Sequence, residues 1–202
     1  TIHNIDKAVF VGVPNTGAPK SVKVLLQGDN FGIKFLSQKE VKKIAENMPS
    51  VYDLLPSQKY YNIKGSFVKT IDYDKSFPHK ATVKDLNYNE FKSFLTDDHQ
   101  LNSTALTNAG NLHLDSFDDF DLRTAGIDLY SINGCKTGTL DKIVEKRSYD
   151  LLGNKTVTYS NVKFNIGDGT VTISSSTNLP IDQSHKFYSL YADHSKMLSQ
   201  DG

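Results

Sequence analysis

The strongest constraint on the fold is a short apolar segment close to the start of the chain. Residues Lys7 to Val13 read Lys-Ala-Val-Phe-Val-Gly-Val, and Pro14, Asn15, Thr16 and Gly17 follow directly. An apolar run of this length that ends in turn residues is typical of a strand buried on both faces, as in a parallel sheet. The segment therefore predicts one such strand with a turn at its carboxyl end.

Helical patterns follow this strand. Residues Ala18 to Gln27 are expected to form a helix or a helical turn. A second helix is predicted from Ser37 to Met48, because Ser37 is a good cap, Glu40 stands three residues later and the apolar residues have helical spacing. Pro49 is expected to end it.

The composition changes between residues 49 and 121, where strand alternation fades and short helical patterns are separated by Asp, Ser and Asn. The best helix candidates are Tyr88–Leu95 and Leu101–Phe117. The second candidate has an apolar face, which consists of Leu101, Ala105, Leu106, Ala109, Leu112 and Phe117. Residues 37 to 121 are therefore predicted to form a helical cap or lid, inserted between strands of the main sheet.

Strand patterns return after this insertion. A strand is predicted from Gly126 to Ile132, followed by a loop that contains Gly134 and Gly138. Residues 156–160 and 162–166 alternate and predict a small hairpin or strand pair, and Lys186–Tyr191 predicts a last strand. The order of strand, helical insertion and further strands predicts an α/β fold with a mostly parallel sheet.

Three loops of this predicted fold are candidates for the functional site, because the chemistry of open parallel sheets lies at the carboxyl ends of strands. They are the loop after Val13, the Gly167-Asp168-Gly169 turn and the loop with His194. Asp168 and His194 are ionisable residues suited to catalysis.

The composition excludes several classes of partner and site. Lys and Arg total 23, as do Asp and Glu, so no net charge attracts the chain to nucleic acid. The single cysteine, Cys135, excludes an internal disulfide. No apolar run is long enough to span a bilayer.

The chain does not begin with Met, and we expect it to lie within a longer gene product. We favour an extracellular or cell-surface location over a cytoplasmic one.

No metal or cofactor is predicted. The acidic run of Asp115, Asp118, Asp119 and Asp121 does not have the spacing of a calcium loop, and a solvated acidic face explains it better. His99 and His113 lack a third zinc ligand nearby in the sequence.

Three stretches together resemble the lecithin–cholesterol acyltransferase-like lipases. They are Val9–Lys20, which resembles a strand and turn after the nucleophile helix, Met48–Ser57, which resembles a segment of the cap, and Gly167–Val171, which resembles the GDGTV that carries the catalytic acid. The resemblance implies an α/β-hydrolase fold in which Asp168 is the acid and His194 the base of a Ser-His-Asp triad. Asp193 is a rival acid, less able to reach the same ring.

The chain departs from this family in one respect, since no G-x-S-x-G motif occurs in its 202 residues. In α/β-hydrolases the Ser precedes the acid and the acid precedes the His. The resemblance therefore implies that the nucleophile and the oxyanion hole lie upstream of Thr1. We expect residues 1–202 to be a partial hydrolase domain, inactive alone, whose partner is the missing N-terminal part. Its exposed sheet edge is expected to promote self-association.

Two segments are candidates for substrate contact. Pro14, Asn15 and Thr16 are expected to line the pocket beside the missing Ser, although a structural turn explains them equally well. Tyr52, Leu54 and Leu55 are expected to form an acyl-binding wall, although ordinary packing of the cap would also account for them.

The resemblance implies that the protein hydrolyses carboxylic esters, with a lipid or other acyl ester as substrate. Peripheral contact with a membrane is compatible with such a substrate. A lipid acyltransferase would use the same triad. The sequence is also compatible with a binding module on a hydrolase scaffold and with a thiol enzyme that uses Cys135.

Overall fold

The computed structural model describes residues 4–75 and 80–199, and these form seven strands and a layer of helices. The strands are β1 Lys7–Val11, β2 Val68–Tyr73, β3 Ala81–Asp85, β4 Asp128–Cys135, β5 Thr137–Tyr149, β6 Lys155–Gly167 and β7 Lys186–Leu190. The α-helices are α1 Pro19–Gln27, α2 Gln38–Ala45, α3 Pro49–Asp53, α4 Gln58–Lys64, α5 Tyr88–Ser93, α6 Ser103–Leu112 and α7 Ile173–Ser176. Two π-helical turns, Phe94–Asp98 and His113–Phe117, extend α5 and α6, and 3-10 turns occur at Leu122–Ala125, Gln183–His185 and His194–Lys196.

Three strands form a parallel sheet in the order β1-β4-β7. Val9 pairs with Tyr130, and Ile132 pairs with Phe187. The predicted first and last strands are therefore present and parallel, and the chain between β1 and β4 makes a long crossover through the helical region. The mostly parallel, mixed α/β fold predicted from the sequence is confirmed.

The prediction that β1 is buried on both faces is wrong for the described residues. Val9 is 56% exposed, and Phe187, two strands away, is 51% exposed. Within the described chain β1 pairs only with β4, so nothing beyond it covers its outer edge. The sheet therefore presents apolar side chains to solvent.

A second, four-stranded sheet has the order β3-β2-β5-β6. Strands β5 and β6 form a long antiparallel hairpin, and β2 lies parallel to β5. The prediction of a loop at Gly138 and the division of residues 156–166 into two strands are both wrong, because each segment belongs to one continuous strand. Charged residues such as Glu145 and Arg147 interrupt the apolar pattern of β5 in the sequence. They can lie in the sheet because they pair with each other, which offsets the cost of burying their charges.

The predicted helical insertion contains the expected helices and, in addition, strands β2 and β3, which the sequence pattern did not predict. The helix expected to run from Ser37 to Met48 ends at Ala45, and Pro49 begins α3 instead of simply ending α2. Proline is well tolerated at the first position of a helix, where no intrahelical partner for its nitrogen is needed.

The predicted apolar face of the second helix candidate is only partly buried. Leu101, Leu106 and Ala109 are buried, whereas Leu112 and Phe117 are each 42% exposed. The π-helical turn after α6 contains an extra residue, which rotates Phe117 away from the helical face.

The hydrophobic core lies between the helices and the second sheet. Four aromatic rings pack against one another at its centre, with ring centroids 5.2 to 5.7 Å apart: Tyr60, Tyr61, Phe67 and Phe91. Among the described residues no helix has the length and hydropathy needed to cross a bilayer.

Candidate active site

Asp168 lies on a tight turn directly after β6 and is almost completely buried. Its Oδ1 accepts hydrogen bonds from the backbone N–H groups of Thr170 (3.0 Å) and Val171 (2.7 Å). Gly169 has a φ of 90°, a conformation that glycine adopts without strain. The Gly-Asp-Gly-Thr-Val sequence therefore folds into a turn whose own backbone fixes one carboxylate oxygen and leaves the other free to bind elsewhere.

His194 begins the 3-10 turn that follows β7, and it binds this second oxygen. Its Nδ1 lies 2.8 Å from Asp168 Oδ2, and its backbone N–H donates to the Asp168 carbonyl oxygen, also at 2.8 Å. The two predicted residues, 26 positions apart in the chain, are thus in direct contact. Asp193, the rival acid, precedes the turn as its cap residue.

The protonation of His194 follows from this geometry. Because a carboxylate only accepts hydrogen bonds, Nδ1 carries the proton and Nε2 presents its lone pair. The side chain is 39% exposed, and Nε2 has no hydrogen-bond partner in the described part of the chain. The hydrogen bond to Asp168 raises the pKa of His194 above its usual 6.5, although partial burial opposes this effect. The imidazole is therefore oriented as a general base.

The Asp168 turn is supported by Thr139 of β5, a residue that was not predicted from the sequence. The Thr139 hydroxyl accepts a hydrogen bond from the Gly169 N–H at 2.8 Å and donates to the Thr137 carbonyl oxygen at 3.0 Å. Thr139 is completely buried. No pattern in the sequence points to it, because its role depends on the unpredicted β5.

Two glycines provide the space for the Asp168–His194 pair, and neither is among the predicted site residues. A Cβ on Gly134 of β4 would overlap the Asp168 side chain. A Cβ on Gly12, whose φ is 58°, would lie 3.1 Å from both Asp168 Oδ2 and His194 Nδ1 and would overlap Met197. Glycine within a strand pattern often marks such a close approach, and this signal is present in the sequence.

The predicted substrate-contact residues after β1 lie against α7. Asn15 and Thr16 are buried; the Asn15 amide donates to the Ser176 carbonyl oxygen at 2.8 Å, and the Thr16 N–H donates to Ser175 Oγ at 3.0 Å. Pro14 is half-buried, and its carbonyl oxygen accepts from the Gly17 N–H. These bonds are those of a structural turn, and substrate contact by the three residues stays a prediction.

The predicted acyl-binding wall is mostly buried. The Tyr52 hydroxyl donates to the Glu46 carbonyl oxygen at 2.9 Å and accepts from the Asn102 N–H at 3.2 Å. Leu55 is buried, whereas Leu54 is 45% exposed. Of these three side chains, Leu54 is the one available to a ligand in this structure.

Apart from Asp115, the acidic and histidine residues considered for metal binding have an oppositely charged partner within ion-pair distance. Asp118 pairs with His113 at 2.8 Å, Asp121 with Arg123 at 2.8 Å, and His99 with Glu145 at 2.7 Å. In the described ranges no three His, Cys, Asp or Glu side chains are grouped to hold a metal ion. Cys135 is half-buried at the end of β4.

The mixed α/β fold, with its parallel sheet and layer of helices, is that of an α/β-hydrolase-like protein. The family model of lecithin:cholesterol acyltransferase matches residues 2–197, and the chain belongs to this family. A comparison with curated proteins gives no match. Family membership confirms the resemblance seen in the sequence and places the chain among lipid acyltransferases and esterase-like hydrolases that act on lipid substrates.

Proposed function

We propose that this chain supplies the acid and base of a Ser-His-Asp triad in an enzyme that cleaves carboxylic esters of lipids. The observation that carries the proposal is the 2.8 Å contact between His194 Nδ1 and the buried Asp168 carboxylate, with Nε2 left free. A carboxylate on one ring nitrogen and a free lone pair on the other are what activation of a serine hydroxyl requires.

The reaction proceeds in two steps. His194 Nε2 takes the proton of the serine hydroxyl as its oxygen attacks the ester carbonyl, and Asp168 stabilises the imidazolium that forms. Nε2 then gives this proton to the leaving alcohol, and an acyl-enzyme remains. In the second step Nε2 takes a proton from water or an acceptor alcohol, which attacks the acyl group, and returns it to the serine oxygen.

The nucleophile and the oxyanion hole are proposed to lie outside these 202 residues. The sequence has no G-x-S-x-G motif, and His194 Nε2 binds no hydroxyl group among the described residues. The exposed Val9 and Phe187 of the parallel sheet give further support, because a covering segment would bury them. The 202-residue chain alone is therefore expected to have no esterase activity. Measurable turnover by the chain alone, abolished by His194→Ala, would contradict this.

The experiment that tests the triad uses the full gene product, labelled with a fluorophosphonate probe that reacts with activated serines. Labelling of the unmodified protein that disappears in His194→Ala is the expected result. The control is His185→Ala, because His185 is also about one-third exposed and lies 3.6 Å from an aspartate, Asp128. A folded protein that is not labelled would contradict the proposal and would favour a binding module on the hydrolase scaffold.

Acyl transfer is the second candidate function, because the family to which the chain belongs is named after an acyltransferase. The same triad serves both reactions, which differ in the acceptor that attacks the acyl-enzyme. Incubating the full gene product with a phospholipid, with and without a long-chain alcohol, separates them. Release of fatty acid alone supports hydrolysis, and formation of a new ester supports transfer.

Peripheral membrane contact is proposed through the loop between α1 and α2. Phe31 and Ile33 are each 54% exposed and Phe35 is 99% exposed, with Lys34 between the last two. Apolar side chains interspersed with lysine are suited to the surface of an anionic bilayer. We expect Phe35→Asp to weaken binding of the full gene product to vesicles of phosphatidylcholine and phosphatidylserine. Leu151→Asp, at an equally exposed hairpin tip, is the control, and equal loss in both variants would contradict the proposal.

A further inference from the structure

Lys20 is a cation held close to the candidate site without a carboxylate partner. It is the second residue of α1, and its Nζ donates to Thr170 Oγ1 at 3.2 Å. The same Nζ lies 5.8 Å from the centre of the Phe31 ring. Within the described residues no Asp or Glu side chain lies in ion-pair distance of Lys20, whereas Lys23, one turn later on α1, pairs with Asp29 at 2.9 Å.

We propose that Lys20 is a positioning residue of the Asp168–His194 pair, which holds the Asp168 turn through Thr170 and places a positive charge near the imidazole. The inference rests on the proposed function, since it assigns a role within that same site. In this role Lys20 keeps Asp168 and His194 in place and limits the basicity of the imidazole.

The positioning role follows from the hydrogen bonds of Thr170. Its backbone N–H donates to Asp168 Oδ1 at 3.0 Å, while its side-chain oxygen accepts from Lys20. The turn is thus held at two points, by Thr139 of β5 through Gly169 and by Lys20 of α1 through Thr170. An acid held by groups from two separate elements keeps the geometry that a general base needs.

The electrostatic role follows from the charges that face His194. Asp168 raises the pKa of His194, and Lys20 lowers it. Asp193 and Lys196 are the charged residues beside it in its own segment. A general base must be unprotonated to accept a proton, and the rise in pKa that Asp168 causes favours the charged form of the imidazole. Lys20 counters this effect while the hydrogen bond to Asp168 is kept.

The test compares Lys20→Met, Lys20→Arg and the control Lys23→Met in the full gene product. The pKa of His194 is measured by NMR titration, and the pH dependence of kcat/KM is measured with a short-chain ester. In Lys20→Met we expect both to move to higher pH, because the positive charge that lowers the pKa of His194 is lost. The plateau of kcat is expected to fall about 3- to 10-fold, because the Asp168 turn loses an anchor. Lys23→Met is expected to leave the pKa of His194, the pH dependence and the plateau of kcat unchanged within error. Lys20→Arg keeps the positive charge and is expected to recover most of what Lys20→Met loses.

An unchanged His194 pKa and an unchanged kcat in Lys20→Met would overturn the proposal, as would a loss of thermal stability alone. If Lys20→Met does not fold, Lys20→Gln provides the same loss of charge with a polar side chain, and its titration decides in the same way. The NMR titration does not depend on a serine nucleophile. Failure of fluorophosphonate labelling would therefore refute the proposed function, while the titration would still decide the role of Lys20.

Discussion

The side chain of His194 sets the pH range in which the proposed enzyme works. Because its folded pKa is raised above 6.5, activity should rise with pH through a value above 6.5, as the imidazole loses its proton. In Asp168→Asn we expect this acid limb to move down towards 6.5. The plateau of kcat should fall by about 10³- to 10⁴-fold, because an amide allows the wrong tautomer and does not stabilise the imidazolium. The pH dependence of kcat/KM measures the limb and that of kcat measures the plateau, and an unchanged limb would contradict the role of Asp168.

His113 is a second histidine whose charge the structure determines, and unlike His194 it is buried. Its Nδ1 lies 2.8 Å from Asp118 Oδ1 and its Nε2 lies 3.0 Å from the Asp53 carbonyl oxygen. Both partners are acceptors, so both nitrogens must carry protons. Burial alone would lower the pKa of His113, but the bonds to Asp118 and Asp53 outweigh burial, and the pKa is raised. The stabilisation is thus fully present below pH 6.5 and is lost as pH rises through the folded pKa.

Because the pKa of His113 is raised on folding, its contribution to stability depends on pH. His113→Ala should lower the free energy of unfolding by about 3 to 5 kcal/mol below about pH 6.5, because it leaves the Asp118 carboxylate buried and unpaired. The difference from the unmodified protein should shrink at alkaline pH. Urea unfolding at about pH 6 and at about pH 9 measures it. The partly exposed His185, which lies 3.6 Å from Asp128, is the control, and His185→Ala should cost less than about 1 kcal/mol at either pH.

At the scale of elements, the approach of β4 to the Asp168 turn depends on Gly134. We expect Gly134→Ala to displace Asp168, to break its hydrogen bond to His194 and to destabilise the fold by about 1 to 3 kcal/mol, because the added methyl overlaps the Asp168 side chain. Thermal unfolding and fluorophosphonate labelling of the full gene product measure the two effects.

The control for this change is Gly110→Ala in α6. Gly110 lies inside a helix, and the nearest atom to an added Cβ is the Tyr88 hydroxyl oxygen at 3.7 Å. Alanine has the higher helix propensity, so this variant should gain up to about 1 kcal/mol. Equal effects of the two substitutions would show that the contact with Asp168 does not matter.

At the scale of the whole molecule, the parallel sheet is exposed at β1, whereas the second sheet ends in the polar strand β3. We expect the 202-residue chain to self-associate at micromolar concentrations through the β1 edge, and Val9→Lys to reduce this association. Val83→Lys on β3 is the matched control, since Val9 and Val83 are each 56% exposed. Lys80 and Lys84 already protect that edge. Sedimentation velocity measures the effect, and a monomeric chain would contradict it.

Several parts of the site could be predicted from the sequence because their information is local. The turn at Asp168 follows from glycines on both sides of an acid, and the strand ends follow from apolar runs that stop at turn residues. The order of Asp168 and His194 in the chain, together with the family resemblance, was enough to predict their pairing. Strands β2, β3 and β5 could not be predicted in this way, because charged residues interrupt their apolar pattern.

The sequence by itself determined the α/β class, the family and the lack of a G-x-S-x-G motif, and it predicted the contact between Asp168 and His194. Only the tertiary structure decided which groups support that pair. Lys20 lies in α1, and Gly134 and Thr139 lie in the consecutive strands β4 and β5. All three are distant from Asp168 in the sequence, and each lies within a few ångströms of the Asp168 turn. Such contacts leave no local pattern, because the distance between two side chains depends on how the whole chain packs and not on the residues beside them.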